Sequence, residues 1–241
     1  MKKLWNHLFL PLLTLVLSGC GMFLSALFYT SASGTGEMLN YRHPLAVILL
    51  IFSGLMLVFL FLATRKIPTE GTLEAFLPAS PVRSIGSFIG TVGIAISCIQ
   101  IATATDFLTI ISLILGIFGG VCMLFVGAQR LLKMTPHYLF YSVLTLFFMV
   151  MGLVRCRQWG AETQVLWFFF SLVAQVFLLL TAFQYTSMCA IGKNPRNLIL
   201  FSHCAIFFCC LAFPARNDFF YLTGAIWLAL DCSFFKIPKE E

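Results

Sequence analysis

The chain alternates between eight long apolar segments and short polar connections that carry most of its basic residues. The apolar segments cover residues 6–29, 44–64, 85–104, 107–128, 137–155, 163–189, 197–213 and 219–235. A helix of about 20 mostly apolar residues crosses the roughly 30 Å hydrocarbon core of a bilayer and satisfies its own backbone hydrogen bonds. The pattern therefore predicts an all-α, polytopic transmembrane helical bundle with eight spans.

The distribution of lysine and arginine predicts the orientation of these spans. If the N-terminus is inside, the inner loops and termini hold eleven basic residues and the outer loops hold four: Arg42, Arg155, Arg157 and Arg216. Cytoplasmic loops of helical membrane proteins are enriched in basic residues. We therefore expect a multi-pass protein of the cell membrane with both termini cytoplasmic.

Connection lengths predict which helices are neighbours. Outer connections at residues 105–106, 156–162 and 214–218 are too short to separate the helices that they join, so the eight spans group into four antiparallel hairpins. The longest inner connection, residues 65–84, holds three prolines, and residues 72–77 within it are predicted to form one interfacial helical turn. We expect one transmembrane domain over residues 1–241, with a first hairpin (1–64), this loop and a six-helix remainder (85–241).

The N-terminus has two interpretations. Two lysines, an apolar run and the sequence LSGC ending at Cys20 match a lipoprotein signal, in which the cysteine is lipidated. The apolar run continues to Tyr29, however, so cleavage before Cys20 would leave half a span. We favour an uncleaved first helix and keep lipidation of Cys20 as the alternative.

Small residues form one face on each of the third and fourth segments, and they allow helix backbones to approach closely. They are Gly86, Gly90, Gly93 and Ser97 in the third segment and Ser112, Gly116, Gly120 and Gly127 in the fourth. We predict that these two helices form the closest pair. A smooth surface for a gating motion is the alternative.

Composition limits the classes of function. The chain is 60% hydrophobic and 10% charged, with a mean hydropathy of +0.98, and eight spans in 241 residues leave no room for a soluble catalytic domain. The net charge of +6 is spread over short loops, so the predicted partners are the lipid bilayer and a partner membrane subunit, not nucleic acid. Nucleotide-binding and hydrolase motifs are missing, as are Cys/His metal spacings and histidine pairs suited to haem, so we predict a non-enzyme without metal or cofactor.

Ionisable side chains within the spans are candidates for a functional site, because such groups are costly in hydrocarbon. Asp231 is the only carboxylate clearly inside a span, and His203 lies at a similar depth on the preceding helix. We predict that the two form a hydrogen-bonded or water-bridged pair. The alternatives are a polar clamp between the seventh and eighth helices, or an Asp231 side chain that reaches the inner surface.

Other polar residues have weaker signals. Gln175 and Gln184 in the sixth segment and Gln100 in the third would line a polar cavity or, as the alternative, join helices by hydrogen bonds.

At the outer ends, Asp106 and Asp218 are predicted N-caps, because each precedes a helix. We interpret Arg155, Arg157 and Glu162 as a local surface ion pair.

Three stretches carry a resemblance: HPL at residues 43–45, RQW at 157–159 and YLTGAIW at 221–227. With the overall layout, they resemble a group of small, uncharacterised polytopic membrane proteins encoded by Gram-positive gut bacteria. The resemblance runs best through the second half of the chain. It implies a bacterial multi-pass membrane protein and brings no activity with it.

Three functions fit these observations. The first is binding or translocation of a small solute or ion, alone or as the membrane subunit of a transport system. The second is a non-transporting scaffold or accessory protein, and the third is an intramembrane enzyme acting on lipids. A water-accessible cavity lined by Gln175, Gln100 or Asp231 would favour transport, and a solid core would favour the scaffold.

Overall fold

The structure is a computed structural model that describes residues 9–33, 44–65, 67–102, 106–160, 165–216, 218–232 and 235. These residues form nine helices and no β-strand, so the fold class is all-α. The helices are α1 (Leu10–Ser33), α2 (Pro44–Thr64), α3 (Leu73–Phe76), α4 (Pro81–Ile101), α5 (Phe107–Leu131), α6 (Tyr138–Gly160), α7 (Val165–Ile191), α8 (Pro195–Arg216) and α9 (Phe219–Cys232).

Each predicted apolar segment corresponds to one helix, and the predicted interfacial turn corresponds to α3. Seven helices, α1, α2 and α4 to α8, are long and apolar enough to cross a membrane, whereas α9 has 14 residues. The chain is therefore a multi-pass helical membrane protein. The helix α4 begins four residues earlier than predicted, because Ser80 accepts a hydrogen bond from the backbone N–H of Arg83 and Pro81 occupies the first helical position.

Six helices form a closed ring in which each packs against the next: α4, α5, α6, α7, α8 and α9, with α9 returning to α4. The first hairpin lies outside this ring, where α1 and α2 both pack against α8. Because α8 has neighbours on several sides, 72% of its spanning window is buried. That position explains why α8 is apolar all round rather than along one stripe.

Backbone hydrogen bonds join the connection that follows the first hairpin to a connection within the ring. Asn194 donates a hydrogen bond from its N–H to the carbonyl of Thr69 at 2.8 Å, and Gly71 donates to the carbonyl of Gly192 at 3.2 Å. The connection between α2 and α4 is thereby fixed to the connection between α7 and α8.

Aromatic side chains fill the middle of the ring. The rings of Tyr141 and Tyr185 stack with centroids 4.8 Å apart, and Trp227 lies 6.4 Å from Tyr185 and 6.5 Å from Phe148. A cavity bounded by residues of α4, α5, α6, α7 and α9 holds only about 10 Å³. That volume is close to the lower limit for a single water molecule.

The glycine face of α4 packs against α9. A Cβ atom on Gly86 would lie 3.1 Å from the carbonyl oxygen of Trp227, and one on Gly90 would lie 3.2 Å from Cγ of the same tryptophan. The glycines of α5 do face α4, since a Cβ on Gly127 would lie 2.9 Å from the ring of Phe88. The expected contact between α4 and α5 is present, but the two small faces do not form one common interface, because the small face of α4 accommodates the Trp227 indole. Which pair of helices is closest stays a prediction.

We expect Gly90→Leu and Gly116→Leu to lower the free energy of unfolding in detergent by about 1–3 kcal/mol, because each adds a side chain where the packing is already complete. Gly54→Leu is the matched control, since no atom lies within 4 Å of a Cβ built there. The milder change Leu113→Ala, at a half-buried position, should also cost less. Equal melting temperatures for Gly90→Leu and Gly54→Leu would contradict this account of the ring.

Candidate functional site

The Asp231 side chain, near the end of α9, is fully buried and lies at the centre of a network of charged and polar side chains. Its Oδ1 atom is ion-paired with the guanidinium of Arg130, which lies at the end of α5. Its Oδ2 atom accepts a hydrogen bond from the hydroxyl of Tyr185 on α7 at 3.0 Å. Both carboxylate oxygens therefore have a partner, as a charge in a low-dielectric interior requires.

Arg130 connects this carboxylate to two further helices. Its side chain is 4% exposed and donates to the hydroxyls of Tyr141 on α6 at 2.8 Å and Ser87 on α4 at 3.2 Å. A longer hydrogen bond, 3.4 Å, goes to the carbonyl of Arg83. Arg130, Asp231 and their hydrogen-bond partners thus join α4, α5, α6, α7 and α9 at one end of the ring.

A second buried arginine closes the network from α4. Arg83 donates from Nε to the backbone carbonyl of Asp231 at 2.8 Å, and a terminal nitrogen donates to the carbonyl of Pro78. Two arginines and one aspartate give these three side chains a net charge of +1. Since a guanidinium stays protonated in proteins, Asp231 faces a permanent charge and not a proton acceptor.

A cleft of about 300 Å³, which we call the inner cleft, adjoins this network. One wall is formed by α3 and residues 77–79, and the other by Arg130 and residues 133–136. Its lining combines the charged side chains of Glu74, Arg130 and Lys133 with apolar ones. The volume lies at the lower end of the range of small-molecule sites.

A second buried ion pair lies at the other end of α9. Arg155, 7% exposed, donates to Oδ2 of Asp218 at 2.7 Å and to the hydroxyl of Tyr221 at 2.9 Å, and its guanidinium lies over the ring of Phe220. The Tyr221 hydroxyl donates in turn to the carbonyl of Ser171, so this cluster joins α6, α7 and α9. The prediction of a surface ion pair is wrong for Arg155, because its side chain is buried and its partner, Asp218, lies just before α9.

The other predictions for polar residues at the predicted outer end have different outcomes. Asp218 caps α9, accepting from the N–H of Phe220 at 3.1 Å, as predicted. Asp106 makes no side-chain cap and instead forms an exposed ion pair with Arg157 at 3.3 Å. Glu162 lies outside the described residues.

The predicted direct hydrogen bond between His203 and Asp231 is wrong. Nδ1 of His203 is 2.7 Å from the carbonyl of Ile199 one turn earlier on α8, and Nε2 has no hydrogen-bond partner in the described part of the chain. The two Asp231 oxygens are occupied by Arg130 and Tyr185, so neither a clamp formed with α8 alone nor a side chain at the inner surface describes it. A contact bridged by water stays a prediction.

The three glutamines have separate surroundings. Gln175 is 2% exposed and donates from Nε2 to the carbonyl of Phe148 on α6 at 2.9 Å, which is the predicted interhelical hydrogen bond. Gln184 is also buried, whereas Gln100 is exposed near the end of α4. They do not form one polar stripe across the interior.

Sequence reasoning missed Arg83 and Arg130, which it placed in loops. Two signals could have found them. Ser80 followed by Pro81 is a typical helix start, which puts Arg83 inside α4, three residues before Gly86 on its small face. Arg130 follows Gly127 at the same spacing on the small face of α5.

Comparisons with protein-family models, curated proteins and solved structures give no match. The resemblance to the polytopic proteins of Gram-positive gut bacteria therefore stays a prediction. What the fold defines is the class, a multi-pass helical membrane protein with a buried arginine–aspartate network.

We expect Asp231→Asn to lower the free energy of unfolding in detergent by about 3–5 kcal/mol, because it leaves the buried Arg130 charge without a counter-ion. Asp106→Asn is the matched control: it removes an ion pair whose side chains are 53–63% exposed and should cost at most about 1 kcal/mol. The double variant Arg130→Met/Asp231→Leu should be less unstable than the sum of its single changes. If Asp231→Asn and Asp106→Asn melt alike, the ion pair is not a determinant of the fold.

Proposed function

We propose that this chain is a non-transporting membrane protein, a scaffold or accessory subunit rather than a translocator. The observation that supports this proposal is the tight packing in the middle of the ring, among the described residues. Its central cavity has room for about one water molecule. Asp231 has no exposed surface and Gln175 is 2% exposed, so neither side chain lines a water-accessible cavity.

The chemistry of the network supports the same proposal. A carboxylate that relays protons or binds a travelling cation must be reached by water or by that cation. Asp231 is instead held by a permanent guanidinium charge and by a tyrosine hydroxyl. The enzyme hypothesis depended on Asp231 acting with His203, and the two have different hydrogen-bond partners.

We further propose that α9 is an eighth span despite its length, about 21 Å at 1.5 Å per residue. Asp218, just before α9, pairs with Arg155 at the end of α6, and Asp231 pairs with Arg130 at the end of α5. Consecutive helices α5 and α6 are joined by a short connection and pack together, so they are antiparallel. Their C-terminal ends, which hold Arg130 and Arg155, therefore lie at opposite ends of the bundle. An α9 that reaches both ends supports eight crossings.

The charge bias supports cytoplasmic termini even when buried arginines are removed from it. Arg83 and Arg130 are two of the eleven inner basic residues, and Arg155 is one of the four outer ones. Without them nine inner residues remain against three outer residues. The bias therefore keeps its direction.

A reporter fused after Glu241 should consequently behave as cytoplasmic: a fluorescent protein should fold there and alkaline phosphatase should stay inactive. The same reporters fused in the outer connection between α8 and α9 give the opposite control. Phosphatase activity at Glu241 would show that α9 does not cross the membrane.

Native cysteines offer a test of the closed interior. Cys232, next to Asp231, is 1% exposed, whereas Cys156 is exposed near the predicted outer end of α6. A charged thiol reagent reacts with thiolates that water can reach. In lipid nanodiscs it should label Cys156 and leave Cys232 unlabelled until the protein is denatured, as read by mass spectrometry of the peptides. Labelling of Cys232 in the folded protein would reveal a water pathway to the network and would sink the non-transporting proposal.

A further inference from the structure

We infer that the inner cleft binds an anionic, phosphate-bearing group at the predicted cytoplasmic surface of the membrane. This goes beyond the proposed scaffold role, because it assigns a ligand site to the chain. The inference rests on the charges around the cleft, on the conformation of Lys133 and on the mixed character of the lining.

The charges favour an anion. Arg130 and Lys133 line the cleft on one wall and Glu74 lies on the other. With the adjacent Arg83 and Asp231, these five side chains have a net charge of +1. Arginine and lysine together are the common partners of phosphate oxygens. Glu74 supplies an acceptor for a hydroxyl group on the same ligand.

The backbone of Lys133 is the more specific observation. Its φ is +57°, in the left-handed region that residues other than Gly and Asn rarely adopt. It ends α5 in a turn closed by hydrogen bonds from its own N–H to the carbonyl of Arg130 and from the N–H of Met134 to the carbonyl of Gln129. Glycine is the usual residue at such a helix end.

The backbone conformation at position 133 therefore favours glycine over lysine. Its side chain is exposed, and its ammonium takes part in none of the ion pairs among the described residues. A role for that ammonium in the cleft explains why a lysine occupies a position where glycine would relax the backbone. By contrast, Asn194, with a φ of +65°, is a residue that tolerates this conformation.

The apolar part of the lining points to a lipid as the source of the phosphate. Leu73 and Leu77 are 7% and 6% exposed and face a cleft that also contains Met134 and Pro136. An amphiphilic lipid would place its phosphate near Lys133 and the start of its acyl chains against these apolar side chains. Anionic lipids are concentrated in the cytoplasmic leaflet, where the charge bias places this end of the ring.

Lys133→Gly separates a ligand role from a structural one, because the two roles predict changes of opposite sign. In detergent without lipid, the variant should melt above the wild type, since glycine relaxes the left-handed turn. Added phosphatidylglycerol should raise the melting temperature of the wild type, with an apparent affinity about fivefold weaker in Lys133→Gly, the effect of one basic residue near an anionic headgroup. Asn194→Gly is the matched control: it also replaces a left-handed residue, lies outside the cleft and should keep the full lipid response.

A comparison of added compounds distinguishes a lipid headgroup from a free anion as the source of the phosphate. Diacylglycerol has the acyl chains without the phosphate and should not stabilise the wild type. Stabilisation by inorganic phosphate that Lys133→Gly weakens would support the site with a free anion as its ligand, whereas a response to phosphatidylglycerol alone supports a lipid headgroup. An equal response of wild type, Lys133→Gly and Asn194→Gly, or no response to either phosphate compound, would overturn the inference.

Discussion

A charge buried in a membrane-spanning bundle must have a partner within reach, and the Arg130–Asp231 ion pair shows how this chain meets that requirement. The same solution recurs along the molecule, because all three aspartates of the sequence pair with an arginine. Two of these pairs are buried and lie at opposite ends of α9. The third, between Arg157 and Asp106, is exposed at the surface.

The short helix α9 depends on these two buried pairs and on the glycine face of α4. With 14 residues it is the shortest of the six helices of the ring. Gly86 and Gly90 let the backbone and indole of Trp227 approach α4 closely, and the pairs at Asp218 and Asp231 fix the two ends. Because α9 closes the ring between α4 and α8, its attachment determines whether the interior is sealed.

Most of the fold could be predicted from the sequence, because the length of an apolar run is a one-dimensional property. The site could not be predicted in the same way, because rotation about a helix axis and contacts between distant helices cannot be read from one segment of sequence. The prediction that Asp231 lies near the end of a helix is correct, but its ion-pair partner lies 101 residues away on α5. The sequence predicts His203 as the partner that Asp231 needs, yet Nδ1 of His203 lies 2.7 Å from a carbonyl on its own helix. The predicted start of α4 and the predicted end of α5 are each a few residues short of the observed ones. Arg83 and Arg130 therefore fall in predicted loops.

The ion pair between Asp231 and Arg130 inside the bilayer is tested most directly by solid-state NMR. Protein labelled with ¹³C at aspartate side chains and ¹⁵N at arginine guanidinium groups is measured in lipid bilayers. Asp231 is the only aspartate followed by cysteine, so additional ¹⁵N-cysteine assigns its signals. We predict strong dipolar coupling between its carboxyl carbon and a guanidinium nitrogen, lost in Arg130→Met. A carboxyl carbon of Asp231 without such coupling in the wild type would contradict the account.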